Sequence, residues 1–424
     1  MRVIRYLLML TMLVAVSSVT SAQETDLPIL TVDTGTVVGT VSPLAYGVNF
    51  GPLQTLPPDL IEEAQVMGVR YLRFPGGRWG DLNDIREQQI DSLMRNADLL
   101  GAETVSINVR LENGTPEAAA ALVRYVNIDN DYDVQLWGIG NEPDLFDDYT
   151  IAQYNTEWRA IAEAMLAVDP NITLMGPETS QWTGIAGRTE RQDSWVRGFL
   201  EANGDLIDVV AVHRYPFPRS LNAQTTIEEL YADRSEWDMI LDNLRVTVQE
   251  ITGRDLPLAI TEVNSHWNSA INGEATNDSH FNAIWWADVF GRLLYDEPFA
   301  IAFFDFQSSD SRGGTGLLER YEVRPTYYVY RLYRHFGDTL LSTQSTDPLS
   351  IYAAQRDDGA LTMIVVNPED EAQTAQLEII GTEAHTVFMS QLTVDGYVED
   401  QPLDAINSLT LPPQSVTLYV VANE

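Results

Sequence analysis

The stretch QLWGIGNEPD, residues 135–144, joins an apolar run to a polar end. Residues 135–139 are mostly apolar and aromatic, which predicts a buried strand that ends at a glycine. Glu142 follows, and Pro143 fixes φ and donates no backbone hydrogen bond, so the strand has to stop here. Burying a charged carboxylate is costly without a partner. Asn141-Glu142-Pro143 is therefore either a polar turn before the next helix, or Asn141 and Glu142 belong to a catalytic site.

Seven further runs share this apolar, β-branched or aromatic character, and the eight together are 44–50, 69–75, 104–110, 134–140, 172–178, 206–215, 256–263 and 301–307. Segments with helical periodicity alternate with them, at 59–67, 84–100, 116–128, 149–168, 192–202, 226–251, 280–295 and 326–336. Eight strand–helix units predict an α/β protein with a closed (β/α)8 TIM barrel. An open doubly wound sheet is the alternative, but NFGPLQTLPPD after the first run is a poor phosphate-binding loop.

The chain changes character after residue 336. Short alternating runs follow at 349–355, 360–367, 375–380, 385–392 and 415–422, and Asp357-Asp358-Gly359 is a hairpin turn between the first two. They predict a small antiparallel β-sandwich. The early run 29–41 also indicates strands, which we expect to pair into the same sandwich. The predicted organisation is N-terminal strands at 23–42, a barrel at 43–337 and a C-terminal β-sandwich at 338–424.

The first 22 residues have the layout of a secretory signal peptide, with two arginines, an apolar run at 6–16 and small residues ending at Ala22. The run is short for a membrane span, so we expect cleavage after Ala22 and a secreted protein. No cysteine is present, and the formal net charge is −37. So acidic a surface repels nucleic acid and anionic lipid. We expect a monomer with neither nucleic acid nor membrane as a partner.

Polar residues at the carboxyl ends of the predicted strands are the candidates for a site, because barrel enzymes build their active sites there. Glu142 ends strand four and Glu262 ends strand seven, on opposite sides of the barrel mouth. Facing carboxylates suit glycosidic cleavage, in which one protonates the leaving oxygen and the other attacks the anomeric carbon or activates water. The other polar residues at these ends include Asn49, Arg73, Asn141, His213, Tyr215 and Gln307.

WGIGNEP and LAITEVN resemble the two catalytic signatures of the clan A glycoside hydrolases, which are retaining (β/α)8 enzymes. The resemblance implies that Glu142 is the acid/base and Glu262 the nucleophile. It also implies that Asn141 binds the 2-hydroxyl of the sugar. Tyr215 in VHRYP and Arg73 in LRFPGG would lie beside the nucleophile. YGVNFG, LRFPGG and GIGNEPD are similar to arabinofuranosidases, β-xylosidases, the glucuronidase/heparanase group and some endoglucanases of that clan.

Two positions depart from the family pattern. Arg78 and Trp79 follow the double glycine, where arabinofuranosidases often have asparagine, and Phe306-Gln307 stand where many clan members end strand eight with tryptophan. Because both positions usually touch the substrate, the sugar specificity stays open. The acidic surface favours a neutral xylan, arabinan or β-glucan. A glucuronide-cleaving enzyme that uses Arg78 and Arg214 is one alternative, and a non-catalytic carbohydrate-binding protein on the same scaffold is another.

Three tryptophans follow strands two, five and seven, where they could stack on sugar rings: Trp79, Trp182 and Trp267. We expect His213 to be a hydrogen-bonded wall residue, since the five histidines show no metal-binding spacing. DNDYD at 129–133 begins like a calcium loop but lacks the glycine and the distal glutamate of one. We therefore expect no metal and no cofactor.

Overall fold

Two sheets organise the chain, and only one of them is a barrel. We describe a computed structural model over residues 27–54, 56–217, 224–271, 273–310, 312–381, 386–404 and 406–422. The predicted signal peptide, residues 1–22, lies outside these ranges. The first strand, β1 (Ile29–Thr40), belongs to the second sheet. None of the helices in the described part of the chain combines the length and apolarity needed to cross a bilayer.

The next eight strands form the barrel: β2 Gly47–Asn49, β3 Tyr71–Phe74, β4 Thr104–Val109, β5 Leu136–Ile139, β6 Thr173–Thr179, β7 Val209–Arg214, β8 Leu258–Val263 and β9 Ala300–Phe303. They pair in parallel in chain order, and β9 closes on β2. The predicted TIM barrel is confirmed, with each strand inside the run that predicted it apart from small differences at the ends.

The helices are α1 Ile61–Val66, α2 Trp79–Leu82, α3 Glu87–Leu100, α4 Pro116–Val123, α5 Ile151–Val168, α6 Glu190–Asn203, α7 Ile227–Asp233, α8 Ile240–Thr252, α9 His280–Tyr295 and α10 Pro325–Tyr333. Thr115 and Thr150 cap α4 and α5 by accepting backbone amides of the first turn. The single helix predicted at 226–251 is instead two, because a 3₁₀ turn at Arg234–Asp238 separates α7 from α8. Asp233 holds this turn by accepting the indole N–H of Trp237 at 2.8 Å.

Small residues inside the barrel make room for the side chains that support the polar mouth. A Cβ at Gly47 would come within 2.3 Å of the Tyr71 ring, and a Cβ at Gly138 within 2.5 Å of Nδ2 of Asn108. Glycine at these strand positions therefore allows Tyr71 and Asn108 to fill the interior. Tyr71 packs there with mostly small side chains, among them Ala211, Ala259, Ala300 and Ala302.

The second sheet has nine strands, β1 together with β10 Thr339–Gln344, β11 Ser350–Gln355, β12 Leu361–Asn367, β13 Gln373–Ile380, β14 Thr386–Thr393, β15 Gly396–Leu403, β16 Ser408–Leu411 and β17 Ser415–Ala422. β1 lies between β10 and β13, so the N-terminal strand joins the C-terminal sheet as predicted. Its pairing with β13 is parallel, whereas the prediction was an antiparallel sandwich. The parallel pair is possible because the whole barrel lies between the two strands in sequence.

Both faces of the central strands in this second sheet are buried. Ile351, Met363 and Val365 belong to a core made only from the second sheet and its loops. Their neighbours Tyr352 and Ile364 pack instead into the large core of the barrel and its helices. This alternation is the one expected for strands with an apolar layer on each side. The second sheet is therefore packed onto the barrel helices through one face.

Candidate active site

A bulge in β8 brings Glu262 into the barrel mouth. Val212 of β7 pairs with Ile260, but the next residue, His213, pairs with Glu262, so one residue of β8 is passed over. Ile260 and Val263 keep their side chains in the large apolar core. A β-bulge re-aims a side chain in this way, and bulges are frequent beside active sites. Glu262 is thereby turned toward the interior and is 3% exposed.

Three groups hold the carboxylate of Glu262. Arg73 Nη1 donates to Oε1 at 2.8 Å, and the backbone N–H of Gly77 donates to the same oxygen at 2.9 Å. The Tyr215 hydroxyl donates to Oε2 at 2.7 Å. Charge-assisted hydrogen bonds of this kind favour the ionised form of a carboxyl group. Glu262 is therefore fixed in position and held as an anion.

Glu142 follows β5 in the left-handed backbone region, with φ 49° and ψ 54°. Its N–H donates to the backbone carbonyl of Glu178 at 3.1 Å, and His213 Nδ1 lies 3.1 Å from its Oε1. The Glu142 side chain is 19% exposed, more than that of Glu262. One carboxylate oxygen of Glu142 and one of Glu262 lie within 4.8 Å of each other.

The surroundings push the pKa values of the two carboxyl groups apart. Burial raises the pKa of Glu142, and the hydrogen bond and charge of His213 offset this only in part. Burial would also raise the pKa of Glu262, but the charges of His213 and Arg73 and the hydrogen bond from Tyr215 outweigh it and lower that pKa. Glu142 is thus favoured as the proton carrier and Glu262 as the ionised partner.

Four of the polar candidates at the strand ends are buried beneath the carboxylates rather than open to a ligand. Arg73, Asn49, His213 and Tyr215 are 0–1% exposed. Asn49 accepts from Arg73 Nη1 at 2.7 Å and donates to the Thr261 carbonyl at 2.9 Å. Arg73, His213 and Tyr215 therefore contact the two carboxylates directly, and Asn49 is linked to them through Arg73.

Asn141 is oriented by two hydrogen bonds, one to its side-chain oxygen and one from its backbone N–H. Its Oδ1 accepts from Arg73 Nη2 at 2.7 Å, and its backbone N–H donates to Asp81 Oδ2 at 3.0 Å. The side-chain amide is thereby oriented by its oxygen, which leaves the NH₂ group as the donor that could meet a sugar hydroxyl.

The three candidate stacking tryptophans lie in different environments. Trp267, on the loop after β8, is 41% exposed and stacks against His266 with ring centroids 5.9 Å apart. Trp79 begins α2 and is half-buried. Trp182 is completely buried in the large core, so it offers no face to a sugar and the prediction of a rim position is wrong for it.

The aromatic residue that reaches the site after β9 is Phe304, not Phe306. The sequence run 301–307 extends past the strand, which ends at Phe303. Phe304 is partly exposed and meets the Tyr215 ring edge-on with centroids 6.2 Å apart, whereas Phe306 is fully buried. Gln307 is half-buried, and its carbonyl accepts from Gln54 Nε2 at 2.7 Å. Phe304 is therefore the aromatic neighbour of the site.

Asp305, next to Phe304, adds a further carboxyl group near Glu262. It accepts from Gln54 Nε2 at 2.5 Å and from the Thr315 hydroxyl at 3.1 Å. Burial raises the pKa of Asp305 to about 7, and the charge of Glu262 acts in the same direction. Neither Asp305 nor Gln54 is a predicted site residue, because Gln54 lies in the loop after β2 and the run 301–307 predicts a strand end beyond Asp305.

Arg214 and Arg78 do not form a pair that could hold a uronic acid. Arg214 is 8% exposed and is bonded to Asp233 at 3.3 Å and to Glu236 at 2.6 Å. Arg78 is exposed and lies 3.6 Å from Glu112. The charge of Arg214 is thus already matched by two acids inside the protein.

Glu142, His213 and Glu262 are the one group of side chains within the described ranges whose spacing would suit a metal ion. The guanidinium of Arg73 lies 2.8 Å from Glu262 and would repel a cation there. Three hydrogen-bond donors also occupy most of the lone pairs of Glu262 that a metal would need. The arrangement is therefore better suited to proton transfer than to metal binding.

The chain resembles known proteins in structure but not in sequence. No family model matches the chain, and no curated protein matches its sequence. The alpha-L-arabinofuranosidase from Thermotoga maritima is 18% identical with a TM-score of 0.72, over 92% of this chain and 99% of that one. The GH51 arabinofuranosidase from Xanthomonas axonopodis pv. citri is 13% identical with a TM-score of 0.72, over 93% and 99%.

A third solved structure is a xyloglucanase of glycoside hydrolase family 44 from Paenibacillus polymyxa, which is 16% identical with a TM-score of 0.71, over 93% of this chain and 99% of that one. At these identities the likeness shows a shared fold. The chain therefore has the architecture of arabinofuranosidases and glucanases of clan A over nearly its whole length, and the resemblance read from its motifs is confirmed at the level of the fold.

Proposed function

We propose that this protein is a retaining glycoside hydrolase. The observation that carries the proposal is a pair of carboxyl groups, Glu142 and Glu262, with oxygens within 4.8 Å and pKa values shifted in opposite directions. Retaining glycosidases have carboxyl groups about 5–5.5 Å apart, whereas inverting enzymes need about 6.5–9.5 Å to admit a water. The fold shared with glycoside hydrolases supports the same reaction class.

The reaction proceeds in two displacements. Glu262 attacks the anomeric carbon while Glu142 gives its proton to the leaving oxygen, so that a glycosyl ester forms on Glu262 and the aglycone departs. Glu142, now a carboxylate, takes a proton from the water that attacks the same carbon and releases Glu262. The Tyr215 hydroxyl and Arg73 keep Glu262 ionised before attack and aim it. Asn141 would donate to the 2-hydroxyl of the sugar.

The substrate we propose is a neutral poly- or oligosaccharide of the xylan, arabinan or β-glucan type. The acidic surface disfavours polyanionic sugars, and Arg214 is neutralised by Asp233 and Glu236. Assays with aryl xylosides, arabinofuranosides, glucosides and glucuronides, beside xylan and mixed-linkage glucan, test this. Preferential cleavage of glucuronides would overturn the proposal of a neutral sugar. NMR of the first product anomer tests retention, since net inversion would exclude the two-step route.

The pH profile should follow the two carboxyl groups. Glu262 must be ionised to attack, so kcat/KM should fall on acidification only below the ordinary glutamate pKa of 4.5. Glu142 must be protonated to donate, so kcat/KM should fall as the pH rises through a value above 4.5. The measurement is kcat/KM against pH for an aryl glycoside. An alkaline limb below pH 4.5 would contradict these assignments.

Trp267 is expected to bind polymer rather than take part in catalysis. Trp267→Ala should raise KM for a polysaccharide about fivefold, because a stacked ring contributes about 1 kcal/mol, and leave kcat on a small aryl glycoside unchanged. Trp182→Phe is the matched control. It should lower the melting temperature without changing KM, since Trp182 is buried. Equal KM values for Trp267→Ala and the unchanged protein would remove Trp267 from the site.

We further propose that the protein is exported as a monomer after cleavage at Ala22. The arginines and the apolar run in residues 1–22 support export and cleavage. Intact mass of the protein from the culture medium should correspond to a chain that begins at Gln23, and size-exclusion chromatography with light scattering gives its oligomeric state. Retention of residues 1–22 in the mature protein would contradict the proposal.

A further inference from the structure

Arg73 holds a second buried carboxylate besides Glu262. Glu178, at the end of β6, is 1% exposed. It accepts a very short hydrogen bond from Arg73 Nη2, and Arg73 Nε lies 3.4 Å from its other oxygen. Asn108 also donates to Glu178 through a short hydrogen bond. The guanidinium therefore lies between Glu178 on one side and Glu262 on the other.

A bulge in β6 puts Glu178 in this position. Pro177 pairs with Ala211 of β7, and Thr179 pairs with the next residue, Val212, so Glu178 is the extra residue. Its φ of 54° lies in the left-handed region, which is unfavourable for a residue other than glycine. The chain thus accepts local backbone strain to turn this carboxylate inward, as strained residues at functional sites often do.

Glu178 is not needed to neutralise Arg73. Glu262 already balances that charge, and Asn49 and Asn141 accept two further N–H groups at 2.7 Å each. A second carboxylate buried without its own cation is costly. Its effect on Glu262 is electrostatic: a carboxylate at Glu178 offsets part of the positive potential that Arg73 supplies, so the charge of Glu262 is stabilised less than in an isolated pair.

Glu178 also contacts the other catalytic residue. Its backbone carbonyl accepts the N–H of Glu142 at 3.1 Å. Two residues on, the Ser180 N–H donates to Asp144 at 2.9 Å, which joins the ends of β5 and β6 a second time. Glu178 is therefore hydrogen-bonded to Glu142 through its backbone carbonyl. Through its side chain it is bonded to Arg73, which also holds Glu262.

We propose that Glu178 is a positioning residue of the reaction, and that by sharing Arg73 with Glu262 it limits how tightly the arginine holds the attacking carboxylate. The proposal rests on the proposed glycosidase function. It concerns the reactivity of Glu262, which is also faced by other titratable or charged groups from β3, β5, β7 and the end of β9: Arg73, Glu142, His213, Tyr215 and Asp305.

Two substitutions should change the reactivity of Glu262 in opposite directions. Glu178→Gln keeps the shape of the side chain but removes its charge, so Glu262 becomes the only carboxylate paired with Arg73. The acidic limb of kcat/KM should then move to lower pH by about one unit. The rate on an aryl glycoside should fall severalfold, at most about tenfold, because a more stabilised carboxylate attacks more slowly. Asn108→Ala removes a donor from Glu178, which then draws Arg73 away from Glu262. Its acidic limb should move to higher pH.

Asp288→Asn is the matched control, since Asp288 is a buried carboxylate bonded to Arg234 and Arg292 outside the site. Its acidic limb should not move. If Glu178→Gln fails to fold, Asn108→Ala tests the proposal by itself. An acidic limb that moves to higher pH in Asn108→Ala supports the proposal, and one that does not move overturns it. An acidic limb that stays in place in a folded Glu178→Gln protein, or moves to higher pH, overturns the proposal. Absence of turnover in the unsubstituted protein would instead refute the glycosidase function itself.

Discussion

Glu262→Gln should lower kcat by at least about 10⁴-fold, the scale seen when the nucleophile of a covalent mechanism is removed. An amide is a poor nucleophile, so the glycosyl ester cannot form. The substitution keeps the size of the side chain and an oxygen that can still accept from Tyr215, whose hydroxyl lies 2.7 Å from Oε2. The rate should therefore fall because the nucleophile is missing and not because the protein unfolds. The melting temperature should change little. Turnover of the best aryl glycoside measures it.

The companion variant Glu142→Ala should depend on the leaving group. Without an acid, poor leaving groups should lose about 10²–10⁴-fold in rate, whereas a good leaving group departs unprotonated and keeps most of its rate in the first step. Near-normal turnover in both variants would show that the site lies elsewhere. A protein that binds polysaccharide but turns over none of the sugars tested would be the non-catalytic carbohydrate-binding alternative.

The barrel and its two principal carboxylates could be predicted because they depend on local patterns. Eight apolar runs alternate with helical segments, and a fold with parallel strands gathers the carboxyl ends of those runs at one face. Glu142 and Glu262 both stand at such ends, and the rule that found them applies equally to Asn108 and Glu178. Asn108 lies in β4 and Glu178 in β6, and both could have been predicted from their positions near the strand ends.

What the sequence could not reveal is where the strands depart from regular alternation. In an unbulged β8, Thr261 would face inward after Ala259, and Glu262 would face the helices. The same holds for Glu178 in β6. Apolar character also continues past the end of β9, so the sequence run predicts Phe306 at the strand end in place of Phe304. Bulges and strand ends are set by contacts with neighbouring strands that are distant in sequence.

The second sheet was predicted less completely for a related reason. β10, β15 and β16 were not identified as strands, and all of β15 (Gly396–Leu403) is exposed or half-buried. Such a strand has no apolar face to reveal it, and it exists because β14 supplies its hydrogen bonds. β14 directly precedes β15 in the chain, but the sequence of β15 looks like that of a loop, so it does not predict the hairpin.

Truncation after Gly337 should yield insoluble or unfolded protein. The cut removes β10–β17, so β1 loses both of its neighbours and exposes unpaired edges. It also uncovers the helices that the second sheet packs against, because seven large side chains of that sheet belong to the barrel core: Leu340, Tyr352, Ile364, Val366, Leu392, Val416 and Leu418. At about 1.5–3 kcal/mol for each buried side chain, the loss is on the order of 10 kcal/mol. That matches the whole stability of a typical protein, about 5–15 kcal/mol.

The comparison is between fragments 23–337 and 23–424, scored by soluble yield, thermal unfolding and aryl glycoside turnover. Tyr352→Phe in the longer chain is the control for the interface. It removes only the hydroxyl that donates to Asp288 at 2.6 Å, so it should cost about 1–3 kcal/mol and leave a folded, active protein. If 23–337 is soluble and turns over substrate, the second sheet is an appended module and the barrel folds by itself. If it is not, the two sheets form one folding unit, because the barrel helices need the buried face of the second sheet to cover them.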